Sequence, residues 1–283
     1  RARGEDGQSP LQGVLEALER QDMSQLGEAV RFLAVGAHPE PQQGAVAGAL
    51  AGILKASADP TGINRVAVAR AGAIPPLLQL LRCPLSEVQL QAGWALHNLT
   101  SKNAENKEAV VKENGVAPLV SVLRSGTPEA KAQVIGVLRN LTGGSIICKA
   151  AVEMAGAVSS IVALMAKGSA APQVQANLAV ILYNLCKDGG ERRATVAKSG
   201  AIQVLVATLG CGIPQVQQEA ADALRMIVTG SREHCSQAVV AGLAPVLGVA
   251  MGANSTPKLR QQAGLLKKEL LKYGDPDVLK ALR

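Results

Sequence analysis

Aromatic side chains are almost absent. Of 283 residues only Phe32, Trp94, Tyr183 and Tyr273 are aromatic. A single globular core of this length sits near the upper size limit for one domain. Such cores lean on aromatics, each burying about 150–250 Å². The 48% of hydrophobic residues must therefore be mainly Ala, Val, Leu and Ile. That composition fits many thin layers of packed helices better than one thick core. The same scarcity argues against single-stranded nucleic acid, because base stacking needs aromatic platforms.

Other absences narrow the chemistry. The five cysteines (Cys83, Cys148, Cys186, Cys211, Cys235) are odd in number, and none has C-x-x-C spacing. This argues against a disulfide framework or a zinc site and for a reducing compartment. No apolar run approaches the ~18 residues of a membrane span. G-x-S-x-G, H-E-x-x-H and G-x-G-x-x-G motifs are missing. Gly143–Lys149 lacks the second glycine and the Ser/Thr of a phosphate loop. The histidines are His38, His97 and His234. The adjacent His234 and Cys235 point about 100° apart on a helix, so they form no nucleophile–base pair. Both are assigned to an exposed first helix. The acidic residues follow no shared register that would pair carboxylates. Catalysis, metals and cofactors are not expected. Three N-x-S/T triplets, at Asn98, Asn140 and Asn254, are not read as glycosylation sites, the first two because they fall inside predicted helices.

Charge is present but uneven. The net charge is +7. Residues 1–60 hold five basic and eight acidic groups, whereas 61–283 hold 24 and 14. An acidic beginning and a basic body favour acidic partners or phosphates, with scattered solubilising charge as the alternative. The chain opens with Arg1 rather than Met, so something upstream is expected: a removed targeting peptide, another domain or an arbitrary cut point. An intracellular location, cytoplasmic or nuclear, is expected, with an organelle reached by such a peptide as the alternative.

What the sequence does have is a repeat. Gly72, Gly115, Gly156, Gly200 and Gly242 recur in similar segments at spacings of 43, 41, 44 and 42 residues. Pro128, Pro172, Pro214 and Pro257 each open a helical stretch, at spacings of 44, 42 and 43. Thr127 and Thr256 are placed as N-caps before two of them, and Ser86 holds the same register one repeat earlier. Asn98, Asn140 and Asn184 form a third mark, replaced later by Met226 and Glu269. Each unit reads as three helices: a short one ending at the periodic glycine (104–113), a second (117–124) and a longer third (128–142). Val88, Ala92, Ala95 and Leu99 make an apolar helical stripe on 86–100.

The predicted organisation is an all-α chain of about six units. Residues 1–8 form a disordered lead and 9–60 an N-terminal capping repeat, with helices at 10–21, 24–36 and 41–57. Five repeats follow, at 61–101, 102–144, 145–188, 189–231 and 232–275. Residues 276–283 form a C-terminal tail. The segments Ala71–Leu81 and Glu87–Thr100, recurring at a period of ~40–47 residues, resemble the armadillo-repeat family. The resemblance spans roughly 41–275. It implies a right-handed superhelical solenoid whose third helices line a concave groove.

The candidate groove residues are Gln91, Trp94, His97, Asn98, Arg139, Asn140, Tyr183, Asn184 and Arg225. Glu87, Gln91, Trp94 and Asn98 form the polar face opposite the apolar stripe, and Trp94 is the apolar exception. A Trp and an Asn four apart resemble one step of the family's peptide-binding ladder. The resemblance implies that the Asn amide holds a peptide backbone while the Trp packs on a side chain. The alternative is that Trp94 fills a gap between units. The Trp does not recur, so likeness to the nuclear-import adaptors stops at one step. His97, Arg139, Tyr183, Arg225 and Lys268 instead make a mainly cationic row. The expected function is non-catalytic: a protein-interaction scaffold binding an extended, partly acidic segment of a partner protein. The alternative is a structural subunit of a larger ciliary, organellar or photosynthetic assembly. An import-adaptor-like receptor and an RNA binder come last.

Overall fold

The computed structural model describes residues 10–34, 38–55 and 61–282. The lead expected at 1–8 lies outside them, as do parts of 9–60. All regular structure among the described residues is helical. The chain divides into two compact units, 1–155 and 156–283.

The first unit holds ten α-helices: α1 (Pro10–Glu19), α2 (Leu26–Phe32), α3 (Glu40–Leu54), α4 (Ile63–Arg70), α5 (Ile74–Leu80), α6 (Ser86–Thr100), α7 (Ala104–Lys112), α8 (Val116–Ser125), α9 (Pro128–Thr142) and α10 (Ile146–Met154). The long helices α3, α6 and α9 stack side by side, with α1 on α3, α5 on α6 and α8 on α9. The predicted stripe of Val88, Ala92, Ala95 and Leu99 is buried. Burial of Val88 and of Leu99 contributes about 1.5–3 kcal/mol each, and the alanines less.

The second unit holds α11 (Ala157–Ala166), α12 (Pro172–Cys186), α13 (Gly190–Lys198), α14 (Ala201–Leu209), α15 (Pro214–Val228), α16 (Arg232–Val240), α17 (Leu243–Met251), α18 (Pro257–Tyr273) and α19 (Pro276–Ala281). Here α12, α15 and α18 stack, and α19 packs on α16 and α18. The segment expected as a tail is therefore largely helical. Asp275 caps it by accepting from the Val278 amide at 2.9 Å, and Val278 and Leu282 are buried.

The periodic marks act as their chemistry requires, with two exceptions. Thr127 and Thr256 accept from the amides of Ala130 and Leu259, both at 3.2 Å. Ser86 caps nothing, because α6 already begins at it and Leu85 holds the cap position. Gly72, Gly156, Gly200 and Gly242 all have positive φ, which turns the chain from first to second helix. Gly115 does not: its φ is −71°, and Asn114 before it takes the left-handed turn at 54°. Asn tolerates that region better than most residues. Gly115 is small for another reason, since a Cβ there would lie 2.7 Å from the Leu78 methyls.

Candidate functional site

The nine candidate residues have different fates, and hydrogen bonding decides most of them. In the first unit, the Asn98 Nδ2 donates to the Ala51 carbonyl at 2.9 Å, tying α6 to α3. The Asn140 Nδ2 donates to the His97 carbonyl and to the Thr100 Oγ1, both at 3.1 Å, tying α9 to α6. These amide donors bridge successive third helices. At the same register in the second unit, Glu269 accepts from the Thr229 hydroxyl at 3.0 Å, tying α18 to α15.

His97 turns towards α9. Its Nδ1 lies 3.2 Å from the Gln133 Oε1, and a Cβ at Gly136 would sit 2.6 Å from the ring. Burial pushes the imidazole below its usual 6.5; the Gln133 hydrogen bond opposes the shift and nearby Arg139 adds to it. His97 is thus neutral at neutral pH and leaves the expected cationic row.

In the second unit, Tyr183 and Asn184 are half-buried on α12. Arg225 is engaged by its own helix, with its guanidinium 3.5 Å from the Asp222 carboxylate. Burial raises the Asp222 carboxyl above its usual value, while Arg225 and Lys258 pull it back. The row therefore also loses Arg225 as an uncommitted cation. Arg139, on α9, is exposed.

Gln91 and Trp94 are the candidates that the structure brings together on a cavity. It holds about 1010 Å³ and is bounded by α1, α3 and the beginning of α6. Leu15, Leu18, Ile53, Val88 and half-buried Trp94 supply apolar walls, and Gly48 keeps the α3 side low. The Gln91 Nε2 donates to Glu87 at 2.5 Å, and its buried Oε1 has no hydrogen-bond partner. Exposed Glu19 and Glu87 stand at the rim.

The contribution of α1 escaped the sequence reading, because how a capping helix docks is a tertiary matter. A second set of side chains also escaped it. Arg65 reaches the Ser101 carbonyl at 3.2 Å, past the end of α6. Arg193 reaches the carbonyls of Cys186 (3.0 Å) and Thr229 (2.9 Å), at the ends of α12 and α15. Cations suit helix C-termini, where carbonyls lack intrahelical partners. The signal was there: Arg65, Lys149 and Arg193 each lie seven residues before a periodic glycine. His234 and Cys235 need correcting too. Both are buried, with the His234 Nδ1 2.9 Å from the Ile227 carbonyl. Burial, with Asp275 and Glu269 nearby, pushes the Cys235 thiol up to about 11, far from a reactive thiolate.

The family model for the armadillo/beta-catenin-like repeat matches residues 63–101, 103–143 and 191–228. The chain carries armadillo repeats. An engineered protein solved by a structural genomics consortium is 28% identical, over 89% of this chain and 98% of its own, with a TM-score of 0.79. A computationally designed armadillo repeat protein for modular peptide recognition is 22% identical, covering 86% of this chain and 99% of its own at a TM-score of 0.79. A designed armadillo repeat protein in complex with the peptide (KR)4 is 22% identical, covering 92% and 100% at a TM-score of 0.75. A search of curated proteins finds no match. The last two likenesses, at their low identity, speak for the fold alone. No single described helix is long and apolar enough to cross a membrane.

Proposed function

We propose that this armadillo-repeat chain is a non-catalytic binding scaffold, and that its first unit takes up an extended, partly acidic segment of a partner protein. The apolar cavity against Trp94 carries this reading. It offers a seat for one apolar side chain beside the third-helix surface. Exposed Arg139 offers a charge-assisted contact to a ligand carboxylate. Armadillo repeats commonly mediate protein binding, and a designed relative of the same fold is described with a bound peptide. In the second unit, Tyr183 and Asn184 are the proposed contacts. Arg225 contributes only where a ligand competes with Asp222.

Calorimetric titration with acidic peptides bearing one large apolar residue tests the reading. Trp94→Ala is expected to weaken binding about tenfold or more, the scale of a lost aromatic anchor. Arg139→Glu is expected to weaken it further, with helicity unchanged. Equal affinity of both variants and the parent chain would sink the idea.

One observation favours the second reading, a subunit of a larger assembly. Met154 on α10 and Val240 on α16 are each 88% exposed, and Val249 on α17 is 74% exposed. Where such side chains gather into one patch instead of lying scattered singly, they suit a covered surface. Purification from the native source distinguishes the two, since a stable multi-subunit complex is expected only for the second.

A further inference from the structure

The last long helix presents a surface that matches the first unit's cavity. On α18, Leu259, Ala263, Leu266 and Leu270 face the core. The opposite arc carries Leu265, Lys268, Leu271 and Lys272, all exposed. At 100° per residue, Lys268 falls between the two leucines. Leu265 is 37% exposed and Leu271 47%. A basic helix face bearing uncovered leucines fits a surface that is apolar and acidic together.

The α1–α3–α6 cavity is such a surface. Its walls are apolar and its rim carries Glu19 and Glu87. Its α3 side is built from small residues, with Ala45 and Gly52 exposed, so a helix can come close. The charge of the chain is split the same way, with an acidic excess in residues 1–60 and a basic excess beyond.

We infer that the cavity of one copy receives the exposed face of α18 from a second copy. Leu265 and Leu271 enter the apolar cleft, and Lys268 and Lys272 meet Glu19 and Glu87. The two surfaces differ, so the contact is head-to-tail, and each added copy leaves one cavity and one α18 face unpaired. This goes beyond peptide capture: the ligand is a folded helix, and the contacts are to the acidic rim rather than to Arg139.

Sedimentation velocity across a concentration series tests it. The parent chain is expected to form concentration-dependent assemblies at low salt. At about 1 M salt, where screening acts within about 3 Å, they should revert to monomers. The double substitutions K268E/K272E and E19K/E87K should each give monomers of unchanged helicity. The first retains an intact cavity and the second an intact α18. Mixed together, they should assemble again with the two variants alternating, because each α18 then meets an oppositely charged cavity on the other variant. Carrying all four swaps in one chain should restore assembly. A parent chain that stays monomeric, assemblies indifferent to both swaps, or single-sided variants that fail to pair would each overturn the inference. Acidic-peptide binding by K268E/K272E is measured alongside. Retained binding by a chain that cannot assemble separates failure of the self-contact from failure of the scaffold reading.

Discussion

The side-chain amide of Asn140 donates to the backbone carbonyl of His97, one repeat earlier, at 3.1 Å. Its second acceptor is Thr100, which is fully buried. Removing the amide leaves the His97 carbonyl without this donor and takes one partner from the Thr100 hydroxyl. Asn140→Ala is expected to destabilise the chain by about 1–3 kcal/mol. Urea denaturation gives the value, and an unchanged midpoint would refute the clamp.

Gly136 and His97 form a second test of how the third helices meet. A methyl group at position 136 would collide with the imidazole. Overpacking of this kind costs about 1–3 kcal/mol. Gly136→Ala should therefore destabilise the parent chain, and much less so in a His97→Ala background. A double-mutant cycle measures the difference. Additive effects would mean that the ring moves aside freely.

The same histidine sets a pH dependence. Its folded-state value lies below the unfolded 6.5. Above that value both states hold a neutral ring, and its contribution to stability is complete. As the pH falls from 6.5 towards the folded value, the unfolded chain takes up the proton first, so stability is lost. Between about pH 7.5 and about pH 5.5 the parent chain should lose more stability than His97→Gln. Parallel curves for the two proteins would count against a half-buried, neutral His97.

Arg193 spans two helix ends, and a lysine cannot reproduce its fork. Arg193→Lys is expected to cost about 1–3 kcal/mol, because at least one carbonyl loses a charged donor. Hydrogen exchange should rise at the ends of α12 and α15. Protection unchanged at both ends would show that the guanidinium contributes little.

The periodic glycines separate into two kinds. At Gly200, where φ is 85°, Gly200→Ala should cost about 1–2 kcal/mol from backbone strain. Gly200→Asn should cost less, since Asn visits that region more readily. At Gly115, where φ is ordinary, Asn should be no better than Ala, because the obstacles are the Leu78 methyls and the Val110 carbonyl. Thermal melts of the four variants check the contrast.

These cases show what a one-dimensional reading sees. Helix positions, caps and the apolar stripe follow from local rules of spacing and hydrogen bonding, so α6, α9 and the caps at Thr127 and Thr256 were legible. The shift of the turn from Gly115 to Asn114 was not, because two adjacent residues were both able to adopt it. The Asn register was visible as a pattern, but its partners lie in the preceding repeat, so the pattern did not reveal what the amides hold. His97 and Arg225 looked cationic because sequence records the residue type and not its burial or its neighbour. Trp94 stood out as an apolar residue on a polar face. The cavity beside it depends on where α1 docks, which no spacing within α6 encodes.

The position of Trp94 also makes the chain its own reporter. It is the sole tryptophan, so the indole emission of the whole protein originates at one wall of one cleft. Filling that cleft removes water from the ring, and emptying it restores the water. An unlabelled sample therefore announces occupancy of this site by a change in emission colour. The second unit, which has no indole, contributes none of this tryptophan emission.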